Sequence, residues 1–146
     1  MITSTITGQQ IAIEMAATPE NIDIADDLVH EFLENFECGT HLFACRMMLR
    51  ESLMNAVIHG CDSNPGLSIS VVARVTDYQV YELVIDDPGP GFMHASDVFV
   101  PDSEQTHGRG RVIMYKLSDS VEYNDLGNHI KLTKRLNVEA CEKQEH

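Results

Sequence analysis

Residues 67–87 read LSISVVARVTDYQVYELVIDD. Leu67, Ile69, Val71, Ala73 and Val75 alternate with mostly polar neighbours, and after Thr76-Asp77-Tyr78-Gln79 the same period of two resumes at Tyr81, Leu83 and Ile85. Successive side chains of a strand point to opposite faces, so this stretch predicts a hairpin with one face buried. Its end is informative too. Asp87 shares parity with Tyr81, Leu83 and Ile85, the apolar side, whereas Asp86 points the other way.

Upstream, Ile11, Ile13 and Met15 predict a short strand over 10–15, ended by AATPEN. Thr18 then reads as an N-cap with Pro19 at the first helical position. Ile22, Ala25, Leu28, Val29, Phe32, Leu33 and Phe36 keep one apolar stripe. Gly39 breaks that helix, and Thr40 can cap a second one running to about Gly60, where CDSNPG supplies a loop. After the hairpin come DDPGPGF, a polar loop from Met93 to His107, a helix following the glycines of HGRGRVIMYKLSD, and strands near Ser120–Tyr123 and His129–Leu136. Hairpins without regular strand-helix-strand alternation point to an α+β two-layer sandwich, with helices on one face of a mixed, mostly antiparallel sheet. One domain spans 1–146, with about 1–8 and 139–146 expected to be flexible ends.

The 146 residues are 43% apolar and 23% charged, enough for one hydrophobic core. A formal net charge of −13 argues against a broad phosphate-backbone footprint and so against direct nucleic-acid binding. No run approaches the roughly 20 apolar residues of a membrane span, and the first ten residues lack the basic and apolar regions of a signal peptide. A cytoplasmic protein without membrane contact is expected. Cys38, Cys45, Cys61 and Cys141 form no C-x-x-C pair and read as free thiols; the spacing of Cys38, His41 and Cys45 fits no common zinc pattern.

Three features carry candidate chemistry. In RESLMNAVIHG, residues 50–60, the side chains of Glu51, Asn55 and His59 recur every four residues and would lie in one nearly axial row of an α-helix. Such a row is either a solvated surface or a site, and Met48, Met54 and Ile58 flank it. In Asp86-Asp87-Pro88-Gly89-Pro90-Gly91, a carboxylate at the buried end of a strand needs a partner, and an amino group on a ligand would serve. Gly89 and Gly91 permit either close approach of a flat ligand or an ordinary turn. Third, Gly108-Arg109-Gly110 precedes a predicted helix, whose free N–H groups and dipole suit a phosphate, with Arg109 and Arg111 adding charge.

In this order, ESLMNAVIHG, DDPGPGF and HGRGR resemble the N box and the two glycine boxes of the GHKL (histidine-kinase-like) ATPase superfamily. Glu51 with NAVIHG, the run VPDSEQTHGRG and the closing LTKRL are most similar to the anti-sigma-factor serine kinases, which phosphorylate small STAS-domain anti-anti-sigma proteins. The resemblance implies ATP and Mg²⁺ as cofactors, with Asn55 as metal ligand and Asp87 accepting from the adenine amino group. It also implies that Gly89 and Gly91 lie beside the base, that Gly108 and Gly110 meet the phosphates, and that 93–107 forms a lid. Glu51 would be the general base. Arg111 stands where the family usually has an aliphatic residue. The implied partners are a STAS-domain protein and a sigma factor, and the family often forms dimers. A partner-switching module that sequesters its target without phosphorylating it is the alternative reading.

Overall fold

The computed structural model describes residues 2–36, 38–88, 116–124 and 128–136. Within them six strands form one sheet: β1 (Ile2–Thr7), β2 (Gln10–Ala16), β3 (Ser68–Val75), β4 (Val80–Asp86), β5 (Ser120–Tyr123) and β6 (His129–Arg135). Their spatial order is β1-β2-β3-β4-β6-β5. All five pairings are antiparallel, so the described sheet is not mixed. The β3–β4 hairpin lies at its centre, with Val71 opposite Ile85 and Val75 opposite Tyr81.

Residues 2–7, expected to be a flexible end, instead form β1, paired to β2 from Ile2 opposite Met15 to Thr7 opposite Gln10. The strand gives no apolar period because every residue after Ile2 is exposed. Thr and Ile dominate its composition, and β-branched side chains favour a pleated edge even without burial. Gly8, at φ +60, turns the chain between the two strands.

Helix α1 (Pro19–Leu33) begins as its sequence predicts: Oγ1 of Thr18 accepts from the Asn21 N–H at 3.4 Å, and Pro19 opens the first turn. Ile22, Ala25, Val29, Phe32 and Leu33 are buried from it. Gly39, at φ +54, leads into a 3-10 turn, Gly39–His41, that runs into α2 (Leu42–Met54). The α-helix thus starts later than Thr40 suggests; His41 is its N-cap and makes no side-chain capping bond.

Both helices pack on one sheet face. Ile11, Ile13, Ile69, Val71, Leu83, Ile85 and Leu132 meet Val29, Phe32, Met48, Leu49 and Leu53, all nearly or fully buried. Each such side chain contributes roughly 1.5–3 kcal/mol of transfer free energy, which makes this two-layer contact the main support of the fold. Fully buried Tyr81 belongs to the same core, but its hydroxyl has no hydrogen-bond partner among the described residues.

A buried carboxylate joins the two helices. Asp26 on α1 accepts from Nε of Arg46 at 3.1 Å, from Nη2 of Arg46 at 2.9 Å and from Nη1 of Arg50 at 3.0 Å. Arg50 also donates to Asp23 at 2.8 Å. Burial alone would push the Asp26 carboxyl up; the bonds from Arg46 and Arg50 outweigh it and hold the group below its ordinary range. No helix among the described residues is long and apolar enough to cross a membrane.

Candidate nucleotide site

At Asn55 the second helix changes pitch. Residues Asn55–Gly60 form a π-helical turn that continues α2, so the segment to Gly60 is not one α-helix. The Cys61 N–H bonds to the Ala56 carbonyl at 2.9 Å, a five-residue step. One turn earlier the buried Ser52 hydroxyl donates to the carbonyls of Met48, at 2.7 Å, and Leu49, at 3.0 Å, a back-bond that loosens the ladder just before the change. Asp62 and Ser63 then leave the turn at φ +51 and +52.

This pitch breaks the expected row. A π turn holds more residues than an α turn, so a four-residue step from Asn55 falls short of a full circle. Glu51 is half-buried, Asn55 is buried at 9% exposure, and His59 is exposed. Glu51 and Asn55 keep their α-helical relation; His59 does not continue it.

Asp87 lies where its parity placed it, half-buried beyond the end of β4, while Asp86 is exposed and paired with His129. The Asp87 N–H donates to the Asn128 carbonyl at 3.0 Å, which extends the β4–β6 pairing past the strand end. The carboxylate of Asp87 points against the π turn. A Cβ on Gly60 would sit 2.6 Å from its Oδ2 and 2.7 Å from its Cγ, so a larger residue there requires the carboxylate to shift.

Between these parts is a small cleft of about 20 Å³, walled by Ser52, Asn55, Ala56, Ile85, Asp87, Tyr123, Asn128 and Ile130. Apolar walls with an amide and a carboxylate converging on them are the ordinary make-up of a small-ligand site. Tyr123 and Asn128 were not legible as wall residues: the β5–β6 pairing brings them there, and no local pattern marks it. Glu51 is not among these walls. Burial pushes its carboxyl up from the ordinary range, and Arg50 partly offsets this.

Gly89, Gly91, Gly108, Arg109, Gly110 and Arg111, the predicted lid 93–107, most of the helix after it and Cys141 lie outside the described residues. The three described cysteines, Cys38, Cys45 and Cys61, are buried. Burial, and next the neighbouring Cys38, push the Cys45 thiol up to about 12, which keeps it protonated. A broader depression at the other end of β4, beside Gln9, Arg74, Asp77 and Tyr78, holds no comparable chemistry: Arg74 and Glu82 pair across it at 2.8 Å.

Residues 15–134 match the family profile described as the histidine kinase-like ATPase domain. The chain belongs to that family. Membership implies nucleotide binding. Among its relatives is an anti-sigma F factor of Bacillus velezensis, 26% identical over 136 residues, which cover 87% of this chain and 92% of the relative. The fold is similar to that of a histidine kinase domain from the blue-light activated histidine kinase of Erythrobacter litoralis EL346. That match has a TM-score of 0.52 and 16% identity, and it covers 66% of this chain and 45% of the other.

Proposed function

We propose that this ATPase-type domain is a cytoplasmic anti-sigma-type regulator that uses Mg-ATP to phosphorylate a serine of a STAS-domain anti-anti-sigma protein and also holds a sigma factor. The observation that carries the reading is the cleft between Asn55 and Asp87, with Gly60 admitting the carboxylate against the π turn. The likeness to an anti-sigma F factor along most of both chains supports the regulatory class. A homodimer is the assembly the family resemblance suggests.

The residues fit the group they would hold. Asp87 offers a half-buried carboxylate, the acceptor an adenine amino group needs. Asn55 offers an amide oxygen at the cleft wall, and Mg²⁺ takes one or two protein oxygens and completes its shell with phosphates and water. The ion, when bound, supplies neutralisation of phosphate charge. By the family resemblance, Gly89 and Gly91 would lie beside the base, and Gly108 and Gly110 would offer backbone N–H groups to the phosphates, with Arg109 and Arg111 adding charge.

Glu51, one α-turn before Asn55, accepts the proton of the incoming serine hydroxyl as that oxygen bonds to the γ-phosphorus and the bond to the departing ADP breaks. Its position outside the described cleft walls suits a group that meets the protein substrate rather than the nucleotide.

The test is transfer of labelled phosphate from Mg-ATP to a STAS-domain protein by wild type, Glu51→Gln and Asn55→Ala. Phosphoserine formed by wild type and lost in both variants supports the kinase. Tight partner binding without transfer supports a sequestering module instead.

A further inference from the structure

One feature of α2 is used neither by the core nor by the cleft. Phe43 is 70% exposed, Met54 38% and Ile58 41%, and Met47 is half-buried. On the α-helix Phe43, Met47 and Met54 fall within about 40° of one another around the axis, a row about 16 Å long, and exposed Ile58 lies beyond its end in the π turn. Glu51 lies about 40° beyond one border of the row, and Arg50 about 20° and Arg46 about 60° beyond the other. The exposed apolar residues thus form one line running alongside the proposed base. Isolated surface apolar residues need no explanation, but an aligned row does.

The charge around the row selects what can cover it. Arg46 and Arg50 are each engaged by α1 carboxylates, Arg46 by Asp26 and Arg50 by Asp23 and Asp26. Exposed Asp27 stands beside Arg46, and Glu51 stands on the far border. Four carboxylates therefore face two guanidiniums, in a chain whose net charge is −13. A second copy docked through the same row would bring like charge against like charge, because a two-fold contact places the same surface on both sides. An anionic lipid surface meets the same repulsion.

We propose that Phe43, Met47, Met54 and Ile58 form the docking strip for a cationic amphipathic helix on the protein substrate, and that docking there presents the substrate's serine to Glu51. The inference deepens the kinase reading and rests on it. Apolar anchors spaced along one helix face would supply affinity, and the acidic border would supply steering and choice of partner.

The test titrates the full chain into a fluorescently labelled Leu/Lys amphipathic helix of about 18 residues, long enough to match the row. Wild type is expected to bind it, Phe43→Ser to bind about tenfold more weakly or worse, and a Leu/Glu helix of the same pattern not to bind. Phe43 is largely exposed and is not among the cleft walls, so the variant should fold and keep its affinity for nucleotide, measured in parallel. With a STAS-domain substrate, Phe43→Ser should raise KM and leave kcat unchanged. Equal binding of the Lys helix by wild type and variant would overturn the proposal. So would equal binding of both helices, a dimer that Phe43→Ser dissociates, or Phe43-dependent binding to phosphatidylglycerol vesicles. Absence of phosphotransfer with intact, Phe43-dependent helix binding would instead count against the kinase reading.

Discussion

A Cβ atom placed on Gly60 would lie 2.6 Å from Oδ2 of Asp87, so a larger residue at the end of the π turn would displace the carboxylate beyond the end of β4. These two residues belong to different motifs, 27 positions apart, and their contact makes two motifs one site. Gly60→Ala should therefore cost about 1–3 kcal/mol of stability, the usual range for overpacking. It should also displace the carboxylate and weaken nucleotide binding. In an Asp87→Ala background the same substitution should cost less, because the group it collides with is gone. Urea denaturation of the two single variants and the double variant measures that coupling.

The Asp26 network should show an asymmetry. Asp26→Ala removes the acceptor of two guanidiniums at once from a side chain only 3% exposed, whereas Arg46→Ala leaves Arg50 in place. Loss of one partner of a buried pair costs about 3–5 kcal/mol, reduced here because both guanidiniums reach solvent. Asp26→Ala should thus cost about 2–3 kcal/mol and Arg46→Ala less. The pH dependence follows the lowered carboxyl. The network's stabilisation is complete above the ordinary carboxylate value of about 4 and is lost as pH falls through the lower value held in the fold. Denaturation midpoints of wild type and Asp26→Ala should converge in acid.

Glu51 should behave in the opposite sense. Its carboxyl is raised by burial, so the folded chain binds the proton more tightly than the unfolded one, and stability falls as pH rises through that interval. Glu51→Gln should melt higher than wild type at neutral pH, and the difference should vanish in acid below the ordinary glutamate range. The same variant should abolish phosphotransfer. A gain in stability joined to a loss of activity is the signature of a functional rather than structural carboxylate.

Tyr81→Phe should be neutral or stabilising by about 1 kcal/mol, since it removes a buried hydroxyl that lacks a partner among the described residues and keeps the ring that fills the core. Thermal melts of the two proteins decide it. A clear destabilisation would mean that the hydroxyl is satisfied after all.

Much of this architecture was legible because one face of each central strand is buried. The alternation at 69–75 and 81–85 fixed the hairpin, and the parity of Asp87 placed it on the inner side before any contact was known. Where burial is absent the signal vanishes. β1 is a two-sided exposed edge strand, and its Thr-rich sequence resembles a loose end. The π turn was hidden for another reason: a four-residue spacing implies a row only if the pitch stays α-helical, and nothing in NAVIHG announces the change. Asp26 was equally silent, because the stripe of α1 and the spacing of Arg46 and Arg50 acquire meaning only when the two helices pack together.

In the function proposed above, Asp87 receives the nucleotide base in the cleft it shares with Asn55. Calorimetric titration of Mg-ATP into wild type and Asp87→Asn tests it directly, because the substitution keeps the shape and removes the charged acceptor. A bond to a charged group contributes about 1.5–3 kcal/mol, so wild type should bind and Asp87→Asn should lose roughly ten- to a hundredfold in affinity. Equal affinity of the two proteins for Mg-ATP, or no binding by wild type, would contradict it.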